Sequence, residues 1–307
     1  MSLNKFVFIV GSTATGKSAW ALDFCEKHQA EIINCDSVQL YTDLNIGAAK
    51  PSMSEQQRVR HHLLGYVPAP KVITAGQYYR DFFALAPSLT RPQFVVGGTG
   101  FYFQALERGM FEVAPAPQEL KQQVDQELQK PGGPERLWAE LEAKDPQYVA
   151  KLARADLYRL GRAIEIIRHE GRSVTEVRAE FEAQQKPFPF PLLKIGVAQE
   201  KDELTRRILL RTEQMLASGL VEEVEALLAR GLRDWPPLSS VGYKEVVEFL
   251  DLGQSREWLK EAICVNTWQL AKKQKTWFQR DREIQWYSGV SGFSAAARKV
   301  EEFLTLV

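Results

Sequence analysis

Residues 11–18 read GSTATGKS, and the apolar run KFVFIV (5–10) leads directly into them. The pattern G-x-x-x-x-G-K-[ST] behind a buried-strand signature commits this end of the chain to a strand–loop–helix unit whose loop wraps a polyphosphate. Gly11 and Gly16 permit a tight turn and close backbone approach. Successive N–H groups along Thr13, Ala14 and Thr15, together with the positive end of the next helix, then surround an anion. Lys17 adds a point charge and Ser18 a hydroxyl for Mg²⁺. An ordinary glycine-rich turn satisfies the same spacing, but it gives a lysine little reason to be buried. The loop alone leaves open which diphosphate it holds and whether a phosphoryl group moves.

The first hundred residues continue the alternation: a helix from about Ser18 to His28, the strand EIIN (31–34), a helix opening near Thr74 with Gln77 as its capping-box partner, then the strand FVVG (94–97). Tyr78, Phe82 and Leu85 recur at helical spacing and read as core. This order predicts an α/β fold, a P-loop kinase-like parallel sheet flanked by helices. From Phe111 to Pro191 no strand pattern is convincing, and proline-rich joints, VAPAP (113–117) and KPFPFP (186–191), bound the segment. The expected organisation is therefore a core of 1–110 and 192–307 with a helical subdomain, 111–191, inserted into it. LLKIGVA (192–198) returns to the sheet, everything after Asp202 reads as helical until Trp286, and a last helix is expected near Ser294 to Leu304.

With 307 residues and 45% apolar content the chain can bury a sizeable core. Its 39 basic residues balance 39 acidic ones, so an RNA partner has to be held by local patches rather than by global charge. Cys25, Cys35 and Cys264 are odd in number, scattered, and without metal-ligand spacing, which argues against disulfides and structural zinc and favours a reducing cytoplasm. No charged-then-apolar leader and no apolar run of about 18 residues is present, so neither secretion nor membrane spanning is expected.

EIINCDSVQLY (31–41) sets Asp36, Ser37, Val38 and Gln39 just past the carboxyl end of the second strand, where ligands gather in an open α/β sheet. Asp36 suits a general base or a Mg²⁺ ligand through water, and equally a helix or turn cap. Gly97-Gly98-Thr99-Gly100 brings a second glycine-rich loop to the same crevice, serving either close approach to a ligand or a tight strand-to-helix turn. Arg207 and Arg211, one helical turn apart and close to Arg206, form either a clamp for an oxygen-rich leaving group or a solvated face. On the helix through 267–281, Gln269, Lys272, Lys273, Thr276 and Arg280 share one side, with Leu270 and Trp277 elsewhere for packing. Arg154, Arg159, Arg162, Arg168, Arg172 and Arg178 concentrate positive charge in the insert. Both basic groups fit either phosphate-backbone contacts or plain solvated surface. The loop, the sheet and Asp36 also suit a P-loop kinase, with Asp36 deprotonating a hydroxyl, although the insert and the C-terminal basic helix then lack a purpose. An RNA-binding module that only senses a nucleotide is a third possibility.

Taken together, GSTATGKS, CDSVQLY, LNIGAAKP (44–51), VVGGTGFYFQAL (95–106), DLYRLGRAIEI (156–166), SVGYKEV (240–246) and QLAKKQKTWF (269–278) resemble the tRNA dimethylallyltransferase family in order and spacing along nearly the whole chain. The resemblance implies transfer of the five-carbon group of dimethylallyl diphosphate to N6 of adenine 37, beside the anticodon, with Mg²⁺ as cofactor and pyrophosphate released. It implies Asp36, Thr99 and Arg211 as catalytic residues. It also implies Gly11, Thr13, Ala14, Thr15, Gly16, Lys17, Ser18 and Arg207 on the diphosphate, with Ser18 toward the metal. The tRNA anticodon stem-loop would meet Asp36, Ser37, Val38, Gln39, Lys121, Tyr158, Arg159, Arg162, Gly242, Tyr243, Lys244, Lys272, Lys273, Gln274 and Arg280. A cytoplasmic monomer without a membrane partner is expected. The chain departs from the family pattern at Ala48, where I-G-T-A-K-P is usual, at Ala155, where N-D is usual, and at Trp268 and Lys273, where T-R-Q-x-x-K-R-Q is usual. The change at 268 removes an arginine and that at 273 keeps a charge without a bidentate fork, so these departures bear on RNA binding more than on chemistry.

Overall fold

The computed structural model describes residues 4–110 and 116–305, so the expected joint at 113–117 lies largely outside the described residues. The chain divides into a unit of 1–107 with 188–307 and a unit of 108–187. The second crossing falls before Phe188 rather than after Pro191, because Phe188 and Phe190 pack with Phe6 at centroid distances of 5.4 and 4.7 Å and belong to the sheet's core.

Six strands build the sheet of the first unit: β1 (Phe6–Gly11), β2 (Glu31–Asn34), β3 (His61–His62), β4 (Gln93–Val96), β5 (Leu192–Ala198) and β6 (Gln285–Ser288), in the order β3-β2-β4-β1-β5-β6. Every pairing is parallel. β1 is buried along its whole length because helices cover both faces, which is why its sequence is a continuous apolar run. Phe6, Phe8 and Val10 enter the core on one face, and Val7 and Ile9 enter the core on the other.

The helices are α1 (Lys17–His28), α2 (Met53–Arg58), α3 (Ala75–Leu85) and α4 (Gly100–Arg108), then α5 (Gln118–Gln129), α6 (Gly133–Lys144), α7 (Pro146–Val149), α8 (Leu157–Glu170) and α9 (Val174–Ala183) of the second unit. The chain continues with α10 (Lys201–Ala217), α11 (Leu220–Ala229), α12 (Tyr243–Leu252), α13 (Arg256–Phe278) and α14 (Gly289–Thr305). The second unit is wholly helical among its described residues and has its own core, centred on Val124, Leu137, Leu141, Leu160 and Ile164.

Several elements differ from the sequence reading. β6 replaces the expected end of a helix, since Gly196 of β5 leaves room for Trp286 and Ile284 to lie against it, a tertiary fit invisible in local periodicity. α14 begins at Gly289 rather than near Ser294. At the start of α3, Thr74 accepts from Gln77 N–H, but the reciprocal half of the capping box is absent. α2 and β3 have no counterpart in the sequence reading.

The strand order gathers the site. β4 lies between β2 and β1, and all three run the same way, so the loops after their carboxyl ends emerge side by side: Thr13 from β1, Thr99 from β4, Asp36 from β2.

Candidate active site

The phosphate loop turns through Gly16, whose φ of 91° would strain any side-chain-bearing residue, and α1 starts at the next residue. Thr15 Oγ1 and Lys17 Nζ both donate to Ser12 carbonyl, at 2.9 and 3.1 Å, which curls the loop on itself. Gln199 Nε2 ties Thr15 carbonyl from behind. Lys17 is 8% exposed, and burial pushes its ammonium down to about pKa 8; Asp36 opposes that shift and Arg211 adds to it. The three charged groups therefore feel one another.

Arg211 reaches Thr13 Oγ1 at 2.7 Å from α10, and burial holds its guanidinium below the usual arginine range, with Asp36 opposing. Arg207, one turn earlier, is held by Glu203 at 2.6 Å and stands against Gly16. Both arginines thus stand against the phosphate loop. Arg206 instead forks onto Glu203 at the surface, 60% exposed, where such pairs contribute little.

Asp36 caps a turn with one carboxylate oxygen. Its Oδ1 accepts from Val38 N–H at 3.0 Å, a turn-capping bond, while Oδ2 has no hydrogen-bond partner among the described residues. Thr99 Oγ1 accepts from Ser37 N–H at 2.9 Å and its hydroxyl approaches Ser37 Oγ at 3.3 Å. The glycines beside Thr99 serve packing: a Cβ on Gly97 would stand 1.9 Å from Cys35 carbonyl oxygen, one on Gly98 2.4 Å from Gln274 Nε2, one on Gly100 2.1 Å from Trp277 Cδ1. They let β2 and α13 close on the loop and leave Thr99 as its only side chain.

Thr13, Asp36, Thr99, Arg211 and Gln274 line one cleft of about 300 Å³, whose other walls include Val38, Ala48, Ile208, Met215, Ile263 and Leu270. Ser37, Thr212, Ser239, Ser240 and Thr267 share the walls of this cleft with the apolar side chains. Ser18 lies apart from it, exposed, lining a cavity of about 110 Å³ with Asn34, Gln39 and Lys50. No group of three or more His, Cys, Asp or Glu side chains among the described residues is arranged to hold a metal.

The loop at 45–48, which brings Gly47 and Ala48 to the cleft, is organised by Glu223, absent from the sequence reading, and by Tyr243. Glu223 accepts from the N–H groups of Asn45, Ile46 and Gly47 and from Tyr243 hydroxyl at 2.6 Å, while Ala48 N–H donates to the same hydroxyl. Glu222 and Glu223 at the start of α11 look like ordinary helix-dipole residues, so periodicity conceals the role. Glu245, fully buried, accepts from Gly242 N–H and Asn266 and fixes the turn through Ser239, Ser240 and Gly242.

Two residues expected on the RNA surface lie elsewhere. Tyr243 is completely buried, so its side chain shapes the loop at 45–48 and offers nothing to RNA. Gln274 points inward, between the phosphate loop and Gly98. Lys272, Lys273 and Arg280 are exposed with no ion-pair partner among the described residues, and Arg280 lies over Trp277 at 6.0 Å. Trp277 is 38% exposed and so only half a packing residue. Trp268 donates to Thr205 Oγ1, joining α13 to α10.

In the helical unit Tyr158 is 83% exposed, Lys121 half-buried, and Arg159 and Arg162 each bond an acid on their own helix or its cap. Arg168 is saturated by Glu127 and Glu140, Arg172 by Glu180, and Arg178 by Glu182; these three hold helices together or pair locally. The basic concentration expected there is thus largely neutralised. No helix among the described residues is long and apolar enough to cross a membrane.

A family profile described as IPP transferase matches residues 39–281. A tRNA dimethylallyltransferase of Bdellovibrio bacteriovorus is 55% identical over 306 residues, covering 99% of both chains. One of Synechocystis is 36% identical over 281 residues, covering 92% of this chain and 90% of its own. Among solved structures, a full-length tRNA isopentenylpyrophosphate transferase of Bacillus halodurans superposes with a TM-score of 0.71 at 27% identity, over 98% of this chain and 97% of that one. A eukaryotic dimethylallyltransferase acting on tRNA shares the fold with a TM-score of 0.83 at 22% identity, over 98% of this chain and 80% of that one. Phosphate loop, cleft and these near full-length matches agree: the chain belongs to the IPP transferase family.

Proposed function

We infer that the chain transfers the dimethylallyl group of dimethylallyl diphosphate to N6 of adenine 37 in the anticodon loop of tRNA, releasing pyrophosphate. The observation that carries this reading is the cleft itself. Thr13 of the phosphate loop, Arg211 and the Asp36 carboxylate line a space of about 300 Å³ together with the apolar side chains of Val38, Ile208, Met215, Val241, Ile263 and Leu270, room and surface for a five-carbon chain beside charged groups. A kinase needs no such apolar surface.

An adenine amine is a weak nucleophile because its lone pair is delocalised into the ring. Asp36 Oδ2 would accept a hydrogen bond from N6–H, raise electron density on nitrogen, and take the proton as the C–N bond forms. At the other end the allylic C–O bond breaks toward pyrophosphate. Lys17, Arg211, Arg207 and the amides of residues 14–18 would stabilise the charge that grows there. Thr99, fixed by Ser37, would sit beside the reacting carbon and base. The target base has to leave its stack to reach this depth, at a cost of about a few kcal/mol, less in a single-stranded loop.

Mg²⁺ would fit the donor set only as an ion shared between the protein and the substrate. Ser18 hydroxyl, diphosphate oxygens and water would hold it, as is usual for an ion that keeps much of its hydration, and no cage of protein carboxylates is present among the described residues. When bound it would neutralise part of the pyrophosphate charge. Ser37, Val38, Gln39, Gly242, Lys244, Lys272, Lys273 and Arg280, with Lys121, Tyr158, Arg159 and Arg162 of the helical unit, would face the RNA. Action as a monomer in the cytoplasm, where tRNA is found, is part of this reading.

The deciding experiment incubates the protein with labelled dimethylallyl diphosphate and unmodified tRNA, with ATP in a parallel reaction. Label appearing in RNA at N6 of adenine is expected. ATP turnover without such label would replace this reading with the kinase.

A further inference from the structure

Helix α13 presents a lysine-rich side to solvent, yet Gln274 in the middle of that stretch turns the other way. Its Oε1 accepts from Thr13 N–H at 2.8 Å and its Nε2 donates to Gly98 carbonyl at 2.9 Å. We propose that Gln274 is a positioning residue for the transfer site: its carboxamide clamps the phosphate loop to the Thr99 loop and so sets the separation between the leaving-group cradle and the acid that serves the nucleophile.

The chemistry of the side chain suits the role. Thr13 offers a donor and Gly98 an acceptor, and a side-chain amide presents an acceptor and a donor, on neighbouring atoms of a single rigid plane. The clamp is reinforced on the same helix, because Ser12 hydroxyl donates to Ala271 carbonyl at 2.9 Å one turn before, and Trp277 lies against Gly100 one turn after. It is continued on both sides. Thr13 hydroxyl accepts from Arg211 at 2.7 Å, and Thr99 accepts from Ser37 N–H, the residue after Asp36. A chain of bonded groups thus runs from Arg211 through Thr13, Gln274, the Gly98–Thr99 loop and Ser37 to the Asp36 turn. Since the Thr13 amide is already occupied, the diphosphate would be held by the amides that follow it.

The inference rests on the reading of this cleft as the transfer site, and the test separates the two. In the full-length protein, Gln274→Met keeps length and volume but removes both hydrogen bonds; Gln274→Glu keeps the acceptor for Thr13 and sets a carboxylate against Gly98 carbonyl. Pyrophosphate affinity by calorimetry, tRNA affinity by filter binding, and the single-turnover rate with tRNA saturating are measured alongside thermal melting. For Gln274→Met the expected result is tRNA affinity within about twofold of wild type, weakened pyrophosphate binding, and a single-turnover rate lower by about tenfold or more. Gln274→Glu is expected to be no better, because its charge also repels the diphosphate; it stands in for Gln274→Met should that variant not fold. Wild-type pyrophosphate affinity and rate in either folded variant would overturn the clamp. So would a large loss of tRNA affinity with an unchanged rate at saturation, which would make Gln274 an RNA contact. A wild-type protein that transfers nothing to tRNA would sink the proposed function alone, and the pyrophosphate measurement would still test the clamp.

Discussion

Asp36 shows how one side chain can hold a turn and serve chemistry at once, because a carboxylate has two oxygens. Oδ1 is engaged by Val38 N–H and fixes the side chain's direction; Oδ2 is left for a substrate. Asp36→Ala is therefore expected to lower single-turnover transfer at least about a hundredfold with tRNA affinity largely intact, and an unchanged rate would remove it from the mechanism. Lys17 carries a pH signature of its own. Its pKa is depressed to about 8 chiefly by burial, below the 10.5 of an unfolded lysine. Between those values the unfolded chain holds the extra proton, so stability should rise with pH across that window. Lys17→Met should reduce the rise in a series of denaturant melts from pH 7.5 to about 10.5, leaving the part due to Lys50, whose burial also lowers its pKa to about 8. A bound diphosphate favours the charged form, so affinity for pyrophosphate should weaken as pH climbs past about 8, with proton uptake on binding that calorimetry in two buffers detects. The burial of Lys17 in the phosphate loop was legible from its motif, as was the place of Asp36 just past β2. Gln274 and Tyr243 were not, because a motif assigns a stretch to a partner without saying which side chains of the stretch face it.

At the level of elements, the Gly97–Gly100 loop explains itself through its neighbours. Four residues with one side chain among them allow β2, β4 and α13 to converge where Thr99 must stand. A methyl group on Gly97 would meet the backbone carbonyl of Cys35, which cannot rotate aside. Gly97→Ala is thus expected to cost about 3 kcal/mol, at the upper end of overpacking effects, measured as a shift in denaturant midpoint at unchanged slope; wild-type stability would show that the loop has slack. The same convergence makes α13 a two-sided element. Ala271, Gln274 and Phe278 face the sheet and the loops, and Lys272, Lys273 and Arg280 face solvent. Its sequence pattern marks the charged side well and hides the inward one, since a glutamine reads as polar surface until its partners are known. Glu223 escaped for a related reason: its ligands are backbone amides of a loop far away in sequence.

For the whole molecule, zero net charge and binding to a polyanion are reconciled by local distribution. Acids neutralise Arg168, Arg172 and Arg178 internally or locally, whereas Lys272, Lys273 and Arg280 have no ion-pair partner among the described residues. Affinity for tRNA should accordingly fall steeply with salt, and each of Lys272→Ala and Lys273→Ala should reduce the slope of log affinity against log salt by about one while weakening binding across tRNA sequences alike. An unchanged slope would place the RNA elsewhere. Strands β1, β2, β4 and β5, helices α1 and α3 and the phosphate loop were legible in sequence alone, because periodicity and glycine spacing are local properties. Tertiary structure alone decided the edge strand β6, the inward turn of Gln274, the burial of Tyr243 and the pairing of the insert's arginines. Each depends on what a residue meets across the fold, and a side chain's sequence neighbours carry no record of that.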